Sequence, residues 1–362
     1  VRRPNSEFPG DAGLVPADGA ADPDRAGARG IAGPTDGDRD EFDLIERLRA
    51  RFEAGGTLAG PGDLGIGDDA AAVSLPDPGQ VVLATDLVVA GVHVDMDVSA
   101  PEDIGWKALM VAVSDLAAMG AGASFALLSV AAPRGFPVER LGDGVAAAAA
   151  SAGCTVVGGD LSGSATLVVS VTAVGSVPDD GAPILRRDGA SAGDHLFVTG
   201  PLGASAAGLR LLVGSGSGYA QGGEAVPAAP PDVVAILASA HRRPVARLSE
   251  GATARRARAT AAIDVSDGLV ADVVHLAGAS GVGLELELGA HAVAVGATRT
   301  EALSGGEDYE LVLATGDPGG LLAAFAAAGL RAPFTIGRCT ARAGEWTLDG
   351  GPLPEGGWRH RF

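Results

Sequence analysis

An aspartate stands in the middle of an otherwise apolar stretch, VVLATDLVV (81–89). The run is rich in Val and Leu and reads as a strand. A carboxylate inside such a strand has to be paired or metal-bound, because an isolated buried charge is too costly. Asp86 therefore constrains what can pack on this strand, and few cations lie nearby in sequence. Four more motifs set aspartates among Gly, Ala and Ser: GIGDDA (65–70), SDLAAMGA (114–121), GGD (158–160) and DVSDG (264–268). Carboxylates with so little bulk around them suit a hard cation and a polyphosphate better than they suit packing.

Charge narrows the chemistry. Lys+Arg number 26 against 45 Asp+Glu, a formal net charge of −19, and Lys107 is the single lysine. A nucleic acid or an anionic membrane would be repelled, so neither is expected as a partner. A phosphorylated ligand would need divalent cations and backbone amides instead of lysine charge. No P-loop pattern GxxxxGK[ST] is present, and no HExxH or GxSxG. GPGDLG (60–65) matches GxGxxG but is followed by another turn, so a dinucleotide fold is not expected. The two cysteines, Cys154 and Cys339, have no metal-ligand spacing, which fits a reduced, cytoplasmic setting. No apolar run is suited to span a membrane, and Arg2 and Arg3 precede no apolar segment of a secretory signal.

At 362 residues, with 47% hydrophobic residues, two domains are the default expectation. Residues 1–40 are rich in Gly, Pro, Ala, Asp and Arg without periodicity and read as a disordered tail. An amphipathic helix is expected over 42–52, and strands over 71–75 and 81–94. A helix follows from Pro101 to about Met119, then a strand over 124–132 and a helix over 138–153. TVVGGD reads as a short strand ending in a turn, and 166–177 as a long strand. Pro178-Asp179-Asp180-Gly181 marks a turn and the expected boundary between domains 41–180 and 181–362. In the second half, strands are expected at 194–200, 282–288 and 309–316, and a helix at 203–212. A low-complexity loop is expected over 215–232, and a strand–turn–helix over 260–281.

Single motifs have plain explanations. Asp68 and Asp69 fit a turn, and at most one of two adjacent side chains points into a shared site. Asp115 fits either a metal site or the polar stripe of a surface helix. Ser266 or Asp267 fits an N-cap for LVADVVHL, which leaves Asp264 unexplained. An open helix N-terminus there could also bind phosphate through its amides. SGGEDYE (304–310) is a further acidic, glycine-led loop. Turn chemistry alone accounts poorly for so many acidic motifs in one chain.

GIGDDAA, ATDLVVAGVH, KALMVAVSDLAAMGA, VVGGD, IDVSDGL and SGGEDYEL occur here in the order and spacing of thiamine-monophosphate kinases. The chain thus resembles a family within the superfamily of aminoimidazole-ribonucleotide synthetase and selenophosphate synthetase, over roughly 42–362. The resemblance implies a two-domain α/β (α+β) fold of the aminoimidazole-ribonucleotide-synthetase type. It also implies a homodimer whose N-terminal domains pair their sheets into a barrel, with ATP near that interface. By position, Asp69, Thr85, Asp86, Asp115, Asp160, Asp264 and Asp267 would hold several Mg²⁺ ions. Gly159, Asp160, Arg187 and Ser266 would contact ATP, and His93, Glu307 and Trp358 would contact thiamine monophosphate. Ala84 stands where the family usually has a hydroxyl, so only its carbonyl could ligate, and no residue is assigned to the adenine. The expected reaction is in-line phosphoryl transfer to thiamine monophosphate. Another ATP-using enzyme of the superfamily, or a non-catalytic nucleotide-binding dimer, would be the alternatives.

Overall fold

The computed structural model describes residues 41–54, 56, 66, 73, 79–214 and 229–358. The expected tail, the strand over 71–75 apart from Val73, and the GIGDDA motif apart from Ile66 lie outside the described residues, and Asp68 and Asp69 with them.

In the first half the described order is α1 (Glu41–Ala54), β1 (Gln80–Val89), α2 (Pro101–Ala118), β2 (Gly122–Ala132), α3 (Val138–Ala152), β3 (Thr155–Gly163) and β4 (Val168–Val177). The four strands form one sheet in the order β1-β4-β2-β3, antiparallel except for the β2–β3 pair. One face of this sheet is covered. Val82 and Val88 of β1, Val169 and Val171 of β4, and Leu128 and Val130 of β2 are buried with α2 and α3 in one core. Helix α2 starts with Pro101 at its first turn, and the Asp103 carboxylate accepts from the Ala100 amide at 3.3 Å. Gly105 and Gly144 let α2 and α3 approach closely, since a Cβ on either would run into the other helix's backbone. Helix α3 ends at Gly153 in the left-handed region (φ 66°), the stop read from its glycine.

The second half contains β5 (His195–Val198), α4 (Ala204–Val213), α5 (Pro231–Arg242), α6 (Leu248–Arg256), β6 (Ala261–Asp264), α7 (Leu269–Ser280) and β7 (Gly283–Leu286). There follow α8 (Arg299–Ser304), β8 (Leu311–Thr315), α9 (Pro318–Ala327), β9 (Phe334–Thr340), β10 (Trp346–Leu348) and β11 (Gly351–Pro352). Its seven strands run β11-β10-β7-β9-β5-β8-β6, with β7–β10 the parallel pair. Alternate residues feed two cores. Leu196, Val198, Ile263 and Val312 pack with α7, while Phe197, Ala262, Leu311 and Leu313 pack with α6 and α9. The second of these cores also takes Ala117 and Ala118 of α2, so one helix packs on both sheets.

Four expectations are corrected here. Strand β1 stops at Val89 and the chain turns through 91–93, so His93 sits in a turn. Strand β3 does not turn at GGD: it continues past Asp160 to Gly163, held in parallel register by β2. The loop expected over 215–232 gives way at its end to α5, which Pro231 opens. And α2 is no surface helix, because thirteen of its eighteen residues are buried.

Candidate active site

Helix α2 brings three carboxylates together. Asp86 lies on the covered face of β1, in the alternation that buries Val82 and Val88. Asp115 projects from α2, and Asp264 ends β6 of the other sheet, 3% exposed. Ser114 Oγ donates to Asp264 Oδ2 at 2.7 Å, a bond across 150 residues that docks α2 on β6. Burial is the first cause that raises all three carboxyl pKa values. The Asp264 charge lifts Asp86 further, and the Asp86 charge lifts Asp115 to about 6. Asp264 is likewise pushed up to about 6 by burial and the Asp115 charge. A hydrogen bond links the Asp86 and Asp115 carboxyl groups. The exposed Arg187 pulls Asp115 and Asp264 downward. Tyr309 stands among these charges. Burial, then Glu307, Asp264, Asp86 and Asp115, hold its hydroxyl protonated.

The loop after β6 is tied on both sides. Ser266, Asp267 and Gly268 donate their amides to Asp272 Oδ2 at 3.1, 3.1 and 3.0 Å. The N-cap of α7 is Gly268 (φ 117°), without a side-chain cap, so neither Ser266 nor Asp267 caps the helix as expected. Those three amides are also not free to cradle a phosphate. On the carbonyl side, Ser266 accepts from Glu307 N at 2.8 Å and Asp267 from Trp358 N at 2.9 Å. Glu307 and Tyr309 both adopt positive φ (66° and 50°), a strained conformation for residues other than glycine. Trp358 itself is 52% exposed.

Lys107 joins two of the residues assigned to the acceptor. Its ammonium is buried, 2.7 Å from Glu307 Oε1 and 3.3 Å from the His93 carbonyl. His93 Nδ1 accepts from Val89 N at 3.1 Å, which places the proton of the neutral ring on Nε2. His241 Nδ1 lies 3.5 Å from Glu307 Oε2 and 3.1 Å from Ser205 Oγ. Burial and the Lys107 charge push His241 down to about 4. Asp308 points elsewhere: it accepts from Gly203 N, and from Ser205 N at 3.1 Å, at the start of α4.

Not every candidate joins this cluster. Thr85 faces the opposite side of β1, where its hydroxyl is 3.2 Å from that of Thr172. Asp160 is exposed, in register with Ser129 and through it with Ser170 and Leu87 on that same open face. Gly159 fits against the Leu128 carbonyl, where a Cβ has no room. Asp267 is half-buried and close enough to Asp272 to raise its pKa. Among the described residues no three His, Cys, Asp or Glu side chains form a ready-made metal cage. Ser114, Tyr309, Asp272 and the Lys107–Glu307 pair are additions to the set read from sequence. Asp272 alone left a local signal, an acid within the apolar helix LVADVVHL.

With two mixed sheets sharing a helix and aspartates converging from both, the chain resembles AIR synthase related proteins. The family model of their N-terminal domain matches residues 67–177. A thiamine-monophosphate kinase of Mycobacterium tuberculosis is 39% identical over 75% of this chain and 79% of its own length. The crystal structure of the Stenotrophomonas maltophilia thiamine-monophosphate kinase superposes with a TM-score of 0.69 at 35% identity, covering 86% of this chain and 97% of that one. AaThiL complexed with AMPPCP and TMP superposes with a TM-score of 0.65 at 33% identity, covering 89% and 97%. The chain belongs to the thiamine-monophosphate kinase family. No helix among the described residues is long and apolar enough to cross a membrane.

Proposed function

We infer that this chain transfers the γ-phosphoryl group of ATP to the phosphate of thiamine monophosphate, giving thiamine diphosphate and ADP. The observation that carries the reading is the meeting of Asp86, Asp115 and Asp264, from β1, α2 and β6, in a chain of this family. The donors are all carboxylate oxygens, they repel one another, and one exposed arginine is the cation that offsets them. That chemistry fits a hard divalent cation such as Mg²⁺. Asp86, Asp115, Asp264 and Asp267 would hold it, with Asp69, Thr85 and Asp160 completing a set for several ions. Mg²⁺, when bound, supplies charge neutralisation for the two phosphate groups that have to approach.

The residues of this chain position the reactants. Arg187 and the Ser266 hydroxyl serve the ATP phosphates, with Gly159 giving close backbone approach. The Glu307 carboxylate and the face of Trp358 suit a cationic ring, and His93 belongs to the same substrate set. The attacking phosphate oxygen is ionised at neutral pH, so the site needs no general base, and buried His241 is neutral there. The sheet division supports a boundary near residue 180, with strands up to Val177 in one sheet and from His195 in the other. A homodimer belongs to the same reading. Val81, Leu83, Leu87 and Leu127 are 48, 68, 55 and 40% exposed on the open sheet face, an apolar patch that a second copy would cover. The test is incubation of purified protein with ATP, Mg²⁺ and thiamine monophosphate. Thiamine diphosphate and ADP in equal amounts are expected; inorganic phosphate without thiamine diphosphate refutes the reading.

A further inference from the structure

The loop Val265–Gly268 has its backbone committed at every step. Its Val265 amide donates to the Glu310 carbonyl at 2.8 Å, and the next three amides converge on one oxygen of Asp272. Its carbonyls accept from Tyr309 N at 2.9 Å, Glu307 N at 2.8 Å and Trp358 N at 2.9 Å. Two of the three residues assigned to the acceptor, Glu307 and Trp358, therefore hang on the loop that carries metal and ATP candidates, and Asp272 gathers three amides of that loop.

We propose that Asp272 is a positioning residue that sets both ends of the reaction site at once. One carboxylate oxygen fixes Ser266, Asp267 and Gly268, and the carbonyls of Ser266 and Asp267 then fix where Glu307 and Trp358 stand. This rests on the kinase reading for the identity of the two ligands, but the hydrogen-bond arrangement stands without it.

Ordinary helix capping does not account for the arrangement. A capping side chain precedes the helix and serves amides of its first turn. Asp272 does the reverse: it sits within α7 and reaches back to three amides that come before Leu269. It is 3% exposed and lies within range of the charges of Asp264 and Asp267, which repel it. A single Asp272 oxygen gathers all three donors, so the three residues are held through one atom.

The first test uses the unaltered protein, free of ligand. Hydrogen exchange resolved at Ser266, Asp267 and Gly268 is expected to show all three amides protected. Exchange at the rate of open-loop amides overturns the proposal, whether or not the protein proves to be a kinase. The second test compares Asp272→Ala with Asp272→Asn, which keeps an acceptor oxygen in the same place. In Asp272→Ala the KM for thiamine monophosphate and the Mg²⁺ concentration for half activation rise together, each by about 10- to 100-fold, as for loss of a group that orients metal ligands. In Asp272→Asn both values fall nearer those of the unaltered protein. A folded Asp272→Ala protein with both values unchanged overturns the proposal, as does an Asp272→Asn protein no better than Asp272→Ala. If Asp272→Ala does not fold, Asp272→Asn and the exchange measurement still decide.

Discussion

Lys107→Met removes the ammonium of the chain's single lysine and keeps the length of its buried stem. The ammonium lies 2.7 Å from Glu307, with the Lys107 side chain 3% exposed and that of Glu307 25%. Removing one partner of a buried ion pair costs about 3–5 kcal/mol, mainly because the other charge is stranded. Glu307 keeps a quarter of its surface in water, so the lower end applies, about 3 kcal/mol. The double variant Lys107→Met/Glu307→Gln strands no charge and should recover about 1–3 kcal/mol of that loss as coupling. Urea unfolding of the four proteins measures the cycle. A second readout is independent of unfolding. Burial is the main cause that holds His241 near 4, the Lys107 charge is next, and Glu307 pulls the other way. In Lys107→Met the His241 titration followed by NMR should therefore move up in pH. Additive losses in the cycle, together with an unmoved His241 titration, would show that Lys107 and Glu307 do not interact in solution and would refute the reasoning.

His241 makes the fold acid-sensitive. Its folded pKa of about 4 lies below the ordinary 6.5, so its contribution is complete above pH 6.5 and is lost as the pH falls toward 4, in all about 3 kcal/mol; His241→Gln should flatten thermal stability across that window. Asp86→Asn relieves a repelled, buried carboxylate, so with EDTA present it should melt at or above the temperature of the unaltered protein. Its turnover with Mg²⁺ should fall by about a thousandfold or more, the equivalent of about 4 kcal/mol of transition-state stabilisation; turnover at the original rate removes Asp86 from the metal site. Leu83→Glu charges the open sheet face where a side chain is already 68% exposed, so it should fold normally while light scattering reports a monomer in place of a dimer.

Local signals carried most of the fold. The apolar runs of β1, β2 and β4 and the glycine after α3 place these elements within a few residues. Failures came where a distant partner decides. Nothing within SDLAAMGA says that Ser114 bonds Asp264, 150 residues away, or that α2 is covered on both sides. GGD looks like a turn because two glycines are flexible, yet pairing with β2 holds it extended. DVSDG looks like an N-cap because Ser and Asp usually cap, yet the cap position falls on Gly268, and Asp272 reaches back to the loop amides before it. The acidic residues stood out individually in the sequence. Which of them meet is a matter of packing, and packing is where Lys107 and Tyr309 enter the site.

Strand β1 poses the remaining question, because neighbours on a strand point to opposite faces. Asp86 turns inward to Asp115, whereas Thr85 turns outward with Thr172, on the face where Asp160 also lies. If all three residues serve one polyphosphate, the outer face cannot stay bare, since water there would compete for every ligand. Something has to close over it. Leu83 and Leu87 flank Thr85 on that face, and Leu127 pairs with Thr172 across the sheet. A cover that buries these leucines would also shield Thr85 and Asp160. The leucines proposed to pair two copies would thus bear on chemistry, and a Leu83→Glu protein that stays monomeric should lose turnover.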